Sequence, residues 1–366
     1  MNQNLMEVRA ALTTTTSNDW SAGTTYGGAE IQKKVEEMPI EAFNKMTDLA
    51  KLLPRKNINQ LAYFWNLVVE TAAGSGVANS SFLFYAEGAS GTPAATSKVQ
   101  LAALAKSYRT DYEVTGLMIA AGMGNQLAEE ARFSAEALAV GEEKSIICGT
   151  ATSAYGFSGS FLGLLQLMGS YASFAETTTV YGIARASGKT YLDVGVVRGA
   201  AAAADALSLD DLDAALTTSN KRGGKGSRRI YFCSEDRVDE IAQLLQPQQR
   251  FNSPTIEFDG GFRVLSYKGI PIIGSRFMDK NGLTSTGANS TATYADQAMY
   301  LLDLNHLFMV HVAGVNAVHV PVVSGAHTAS TSQLGADVVG GFYKSYGVLV
   351  MDRFDTQVII MNLTDI

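Results

Sequence analysis

One segment of the sequence has the residue types of a phosphate-binding loop. Gly182-Ile-Ala-Arg-Ala-Ser-Gly188 is followed by Lys189 and Thr190. A functional loop has four residues between its glycines and leads into a helix whose N-terminus faces the anion. Here five residues separate the glycines, and Tyr191–Val197 is typical of a strand. The segment therefore predicts a hairpin turn, and a nucleotide-binding enzyme using Gly182–Thr190 is kept as an alternative function.

Two other patterns suggest catalysis but fall short of it. Gly156-Phe-Ser158-Gly-Ser160 resembles the Gly-x-Ser-x-Gly turn that presents a nucleophilic serine, but serine stands at the last position. The carboxylates of Glu129, Glu130 and Glu136 could in principle act as an acid–base pair. They belong to a predicted helix with many other charged residues, so the polar face of that helix or ion pairs between subunits are the better interpretations. We therefore predict a loop at 156–160 and no enzymatic activity.

All four histidines lie close together in the sequence, at His306, His311, His319 and His327. Their spacings match no zinc signature. Alternation along strands would place them on different faces, so we predict ordinary strand and loop histidines, with no metal and no cofactor. The sequence leaves open a pairing of one of them with a cysteine or serine nucleophile, without any positive sign of it.

The composition favours a protein that covers its surface with copies of itself. Hydrophobic residues make up 46% of the 366 residues, and charged residues make up only 17%, where about a quarter is usual. The apolar content is high enough for folded domains. With so little charge, much of the surface should be covered, as in obligate interfaces that resemble a core cut in half.

Charge and targeting patterns exclude several partners. The net charge is −7, and the densest basic patch, Asn220–Arg229, predicts a solvated turn, with a phosphate-touching surface as the lesser alternative. The N-terminus lacks a signal pattern, and glycine and serine interrupt the charge-free stretch 145–175, so no membrane partner is expected. Cys148 and Cys233 are far apart in sequence and are expected to stay reduced.

The most informative stretch runs from Tyr63 to Thr150. Extended chain is predicted over 61–70, and two further extended arms, 81–87 and 98–104, flank a tip rich in Gly, Ser, Thr and Pro. A lone two-stranded hairpin is marginal in water, so we expect the projection Phe82–Leu104 to be stable only over an adjacent copy. The residues predicted to make these contacts are Phe82, Phe84, Tyr85, Glu87, Pro93, Lys98 and Leu101.

A long amphipathic helix is predicted from Asn125 to Ile147, with Gly149 closing it. Its narrow apolar face consists of Leu127, Ala131, Ser134, Ala135 and Leu138. The charged residues, with Glu142 and Glu143 among them, are expected on the other faces. The residues of the polar face predicted to contact neighbouring subunits are Glu129, Glu130, Arg132 and Glu136.

The remaining chain mixes helices and strands without a regular βαβ rhythm, so the fold class is α+β. Helical spacing covers 31–53, and a short buried element is expected at 161–168. Capping patterns start further helices at Ser208 and Ser234. Strands are predicted at 229–233, 262–265, 270–273, 298–302, 306–312, 346–352 and 357–362.

In this order the parts resemble the major capsid protein of tailed bacteriophages, which has the Hong Kong 97-type fold. The resemblance covers nearly the whole chain and depends on collinear segments instead of one sharp motif. These segments are Gly27-Gly28, Tyr85–Gly88, Val140–Thr150 with Phe157–Gly159, the Ser208 and Ser234 helices with the strand between them, Tyr267–Ile273, and Val348–Met361.

The resemblance implies a division of the chain into named parts. It implies an N-terminal arm (1–30), an extended β-hairpin loop (64–104), a peripheral domain with a long spine helix (31–63, 105–152 and 346–366), and an axial domain (153–345). By position alone, Lys98 is a candidate for the loop lysine that a few relatives cross-link to an asparagine.

The resemblance also implies a function. Family members form hexamers and pentamers of an icosahedral shell that encloses double-stranded DNA without sequence-specific binding, and they are assembled in the bacterial cytoplasm into virions. Portal and decoration proteins are further implied partners. Because about thirty residues precede the core, a scaffolding protein is expected to be a separate chain. An encapsulin-like nanocompartment shell protein is the alternative within the same fold.

Overall fold

The computed structural model describes thirteen stretches of the chain, all of which belong to one compact unit. These stretches are 48–71, 87–88, 96–115, 126–149, 159–168, 179–186, 189–198, 205–226, 228–246, 255–258, 262–278, 298–322 and 338–364. The predicted N-terminal arm, the loop at 156–158 and His327 lie outside them.

Five α-helices are found in the described residues. They are α1 (Leu49–Leu52), α2 (Gln126–Cys148), α3 (Leu164–Leu167), α4 (Leu209–Lys221) and α5 (Glu235–Leu245). Helix α4 starts with the predicted capping box, in which the Ser208 hydroxyl accepts from the Asp211 N–H and the Asp211 carboxylate accepts from the Ser208 N–H. Ser234 precedes α5 as predicted, but its side chain makes no capping hydrogen bond.

A five-stranded sheet is built around one long strand, β15. It comprises β1 (Arg55–Ile58), β4 (Lys106–Thr115), β13 (Leu307–Val312), β14 (Val318–Val322) and β15 (Val338–Met351). Strand β15 pairs antiparallel with β13, β14 and β4, and β1 joins the far side of β13 in parallel. Helix α2 packs against β4 and β15.

A seven-stranded mixed sheet has the order β7-β16-β12-β8-β11-β10-β9. The strands in that order are Gly195–Val197, Val358–Ile360, Met299–Asp303, Arg229–Cys233, Ile270–Gly274, Phe262–Tyr267 and Thr255–Phe258. Two hairpins complete the described chain: β2 (Ala62–Thr71) with β3 (Thr96–Leu104), and β5 (Thr179–Val180) with β6 (Ile183–Ala184).

The central strands of the seven-stranded sheet are buried on both faces. Along β8, Tyr231 and Cys233 join a core with α4 and α5, whereas Ile230 and Phe232 join a second core shared with α2, α3 and the five-stranded sheet. Successive side chains of a strand point to opposite faces. Double burial therefore explains why 229–233 and 298–302 are continuous apolar runs instead of alternating patterns.

Sheet membership corrects the predicted domain boundary at 345/346. Strands β13 and β14 and the start of β15 were assigned to the axial domain, yet they pair with β1 and β4 of the predicted peripheral domain. Strand β16 was assigned to the peripheral domain, yet it pairs with β12 and β7. The physical reason is that hydrophobic pattern predicts a strand but does not specify its pairing partner.

Candidate assembly surface

The inward face of the β2–β3 hairpin anchors it to the chain's own core. Tyr63 packs edge-on against Phe308 at 5.8 Å between ring centroids, and Trp65 packs against Tyr181 at 5.0 Å. The Trp65 Nε1–H donates to the carbonyl oxygen of Asp352 at 3.3 Å. Aromatic pairs of this kind fix the orientation of the strand as well as burying area.

The structure corrects the prediction that Leu101 contacts a neighbouring copy. Its side chain is fully buried in the core, opposite Trp65 in the hairpin register. Ala103 is buried beside it. Arm 98–104 therefore pairs with β2, and the base of the projection Phe82–Leu104 does have a place within its own molecule. Strict alternation puts Leu101 inward with Val99, on the face opposite to the polar Lys98 and Gln100.

The outward face of the same hairpin carries exposed apolar side chains, together with the exposed polar residues Asn66, Lys98 and Gln100. The large hydrophobic side chains that are exposed in the described residues all lie here, with exposed fractions of 64% for Leu61, 53% for Phe64, 49% for Val68 and 58% for Leu104. These exposed residues were not predicted, although the alternation of Phe64 and Val68 with Tyr63 and Trp65 indicates two distinct faces. Several large apolar side chains exposed on one element indicate an interaction site. We call this face the hairpin patch.

An open pocket of about 360 Å³ adjoins the hairpin patch where β1 turns into β2. It is lined by Ile58, Asn59, Gln60, Ala62, Tyr63 and Phe64. Asn59 and Gln60 are exposed and form a polar rim. Burial is the main cause that raises the pKa of the Tyr63 hydroxyl, so this group stays protonated at neutral pH.

The other loop residues predicted to contact neighbours have different outcomes. Glu87 lies in a turn with Gly88, whose φ is +83°, and both are exposed. Lys98 is exposed on the outward face, opposite Val68. These exposures leave the predicted contacts as predictions. The remaining residues, Phe82, Phe84, Tyr85 and Pro93, lie outside the described part of the chain.

The polar face of α2 is available as predicted along its first half. Glu130 and Arg132 are exposed, and Glu129 and Glu136 are partly exposed. Arg132 Nε lies 3.8 Å from Glu136 Oε1, an ion pair one helical turn apart. Exposed pairs of this type contribute about 0.3–0.5 kcal/mol. Their role in contacts between subunits stays a prediction.

The second half of α2 differs from the prediction, because Glu142 and Glu143 are buried. Glu142 accepts hydrogen bonds from Arg55 Nη2 at 2.7 Å and from the Tyr108 hydroxyl at 3.0 Å. Arg55 also contacts Nε2 of the buried His311 through its Nη1, at 3.2 Å. A helical pattern places two adjacent carboxylates at the surface. Their burial is possible only because hydrogen-bond donors far away in the sequence pair with them.

The segments that suggested chemistry form ordinary structure. Tyr181 and Gly182, with φ of +48° and +84°, make a two-residue turn between β5 and β6, as expected for a hairpin turn. A 3₁₀ turn (Thr190–Leu192) and β7 follow, where a phosphate-binding loop would need a helix. His306 pairs with Asp352 at 2.8 Å and His319 with Tyr112 at 2.6 Å, so the described histidines have separate partners.

None of the described helices has the length and apolar character needed to cross a membrane. Comparison with solved structures gives similar folds over almost the full chain. A chain from the cyanophage A-1(L) capsid asymmetric unit is 15% identical, with a TM-score of 0.62, covering 91% of this chain and 97% of that one.

Two further capsid chains are similar at 12% identity. One is from the capsid of a native GTA particle, with a TM-score of 0.60 and coverage of 95% and 100%. The other is from Gordonia phage Cozz, with a TM-score of 0.58 and coverage of 96% and 99%. No curated protein matches the sequence.

The α+β architecture with its hairpin and long helix is the Hong Kong 97-like fold of phage capsid proteins. A family model for the SU10 major capsid protein matches residues 84–319, and the chain belongs to that family. The match also favours a viral shell over the encapsulin-like compartment and over a nucleotide-binding enzyme.

Proposed function

We propose that copies of this chain assemble into hexamers and pentamers of an icosahedral shell that encloses packaged double-stranded DNA, and that the protein has no enzymatic activity. The observation that carries the proposal is the hairpin patch, formed by Leu61, Phe64, Val68 and Leu104. Its exposed apolar side chains lie on a two-stranded element whose other face packs against the core. Membership of a capsid family supports this use of the patch.

The physical driving force is removal of the hairpin patch from water. Fully burying one large apolar side chain contributes about 1.5–3 kcal/mol, and each patch residue is about half exposed. Association must also offset lost translational and rotational freedom. The free energy of association gained from one patch is therefore modest. In a closed ring, however, every subunit makes this contact with both neighbours, once through its own patch and once through the surface that covers a neighbour's patch.

The net charge of the chain and its family membership indicate its binding partners. A net charge of −7 keeps affinity for phosphates low, because every neutralised phosphate would add salt-dependent binding. DNA is therefore held by enclosure and without sequence-specific contacts. A separate scaffolding protein, a portal and decoration proteins complete the particle, which is assembled in the host cytoplasm.

Charged substitutions in the hairpin patch test the proposal. Phe64→Lys and Leu104→Lys are expected to prevent shell assembly, measured by sedimentation and electron microscopy. Circular dichroism and the thermal midpoint of the subunit should remain unchanged, because both side chains point away from the core. Ser107→Lys on the exposed polar face of β4 is the matched control and should assemble. Normal shells from both patch variants would contradict the proposal.

A further inference from the structure

A cluster of four cations lies where α4 ends and the chain turns into β8. All four side chains are exposed, and none of them forms an ion pair with another residue in the described part of the chain. A helix C-terminus attracts cations, which accounts for the two residues that end α4 but not for the two that follow. The four residues are Lys221, Arg222, Lys225 and Arg228, and we call them the basic turn.

Hydrogen bonds to the folded core hold the main chain of the basic turn. The carbonyl oxygen of Arg222 accepts from Nη2 of Arg353 at 2.7 Å. The carbonyl oxygen of Arg228 accepts from the N–H of Leu304 at 2.8 Å. The turn therefore presents its cations from a fixed backbone, and a group of negative charges on another surface is the complementary partner.

The opposite end of β8 carries the opposite charge, because α5 starts there. Three carboxylates of its first turns are exposed, those of Glu235, Asp236 and Asp239, and we call them the acidic end. Among the residues that the structure describes, none forms an ion pair with these three. Burial raises the pKa of Glu235, and the charges of Asp48, Asp239 and Asp236 raise it further. The carboxylates of the acidic end therefore repel one another and lack a compensating cation from the described chain.

We propose that the basic turn of one copy docks on the acidic end of a neighbouring copy in the same ring. The inference rests on the proposed function, and it goes further by naming one pair of surfaces that meet in the ring. The five residues of β8 span about 15 Å at about 3.3 Å per residue, so the two surfaces lie too far apart to pair within one chain. A closed ring needs two different surfaces on every subunit, and these two have complementary charge.

The contact between charges fixes the orientation of the neighbour more than it drives association. Exposed ion pairs are weak one at a time, whereas facing charges of the same sign exclude wrong arrangements. Burial of the hairpin patch supplies the driving force, and the charged contact selects the register of the ring. Phosphates of packaged DNA are the competing occupant of the basic turn. They would leave the acidic end without a cation, whereas a second copy accounts for both surfaces in one contact.

Charge reversal followed by rescue tests the contact. One variant carries Lys225→Glu and Arg228→Glu, a second carries Asp236→Lys and Asp239→Lys, and a third combines all four changes. Sedimentation and electron microscopy of the expressed full-length chains measure the yield of shells. Circular dichroism and the thermal midpoint of the subunit confirm that each variant folds. Glu113→Lys, on the exposed polar face of β4, is the control for charge reversal and should assemble normally.

The first and second variants should each lower the yield of shells by at least about tenfold, because like charges then face each other. The third variant should restore the yield. Asp236 lies in the first turn of α5, so Arg228→Glu, Asp239→Lys and their combination replace these variants if that helix loses stability.

A normal yield from the first variant, or no rescue in the combined variant, would overturn the contact and leave the proposed function intact. Normal shells of the first variant that have lost their DNA would identify phosphates as the occupant and likewise contradict the contact. Failure of the unmodified protein to form shells would instead overturn the proposed function.

Discussion

The carboxylate of Glu143 on the long helix α2 accepts hydrogen bonds from two backbone N–H groups at the start of α1, Leu49 at 2.9 Å and Ala50 at 2.6 Å. The bonds join segments that are more than ninety positions apart in the sequence. They satisfy N–H groups that a helix leaves unpaired in its first turn. Asp48 precedes α1 but makes no side-chain cap itself.

This contact predicts a pH-dependent stability. Burial raises the pKa of Glu143 to about 7, with a further rise from nearby Asp48, and the backbone bonds oppose part of that rise. Because the folded-state pKa lies above the ordinary value of 4.5, the folded state binds a proton that the unfolded state has released. The contribution of this group to stability therefore falls as pH rises from about 4.5 to about 7.

Glu143→Gln should remove this dependence. Urea unfolding of the unassembled subunit between pH 5 and pH 8 measures the pH dependence of stability. Comparison with the unmodified chain removes the contribution of the other titrating groups. The variant should gain stability relative to the unmodified protein as pH rises. Equal pH profiles for the two proteins would show that Glu143 is not the group concerned. Glu130→Gln, on the exposed side of the same helix, is the control.

The neighbouring Glu142 predicts a loss of stability on truncation. It joins α2 to β1 through Arg55 and to β4 through Tyr108. Glu142→Ala leaves both donors without this acceptor and should lower the free energy of unfolding by about 1–3 kcal/mol. Urea denaturation at pH 7.5 gives the value. Glu130→Ala should change it by less than about 0.5 kcal/mol, and an equally small effect at Glu142 would contradict the assigned contacts.

Alanine substitutions at two glycines are expected to have opposite effects on stability. A Cβ at Gly340 in β15 would lie 2.2 Å from the carbonyl oxygen of Tyr112 in β4, whereas a Cβ at Gly141 in α2 meets nothing within 4 Å. Gly340→Ala must separate the two strands and should cost about 1–3 kcal/mol. Gly141→Ala should stabilise by about 0.5–1 kcal/mol, because glycine is costly inside helices. Thermal midpoints moving in the same direction would contradict this packing.

Local patterns predicted much of the fold. Helices α2, α4 and α5 and strands β8, β10, β11, β12 and β13 begin within a few residues of their predicted starts, since capping residues and apolar periodicity act over short distances. The burial of Glu142 and Glu143 was not predictable, because it depends on Arg55 and on the start of α1. Whether such a residue is buried depends on contacts with residues that are distant in the sequence.

The candidate site was only partly predictable for the same reason. The sequence indicated a hairpin with the arms 81–87 and 98–104. In the structure, 98–104 pairs with β2 instead, and 81–86 lies outside the described residues. The register of this pairing determines that Leu101 points inward and Leu104 outward. A shift of one residue would exchange the two faces. Lys98 and Gln100 alternate with Val99 and Leu101, which favours Leu101 as inward. The apolar run Ala102–Leu104 does not continue the alternation, so the exposure of Leu104 required the structure.

Electron microscopy of the purified, concentrated protein tests the central claim most directly. We predict closed icosahedral particles in which the hairpin of each subunit lies across a neighbouring copy, with the hairpin patch covered. A compact monomer at high concentration, with the hairpin resistant to protease and the patch open to solvent, would contradict the account.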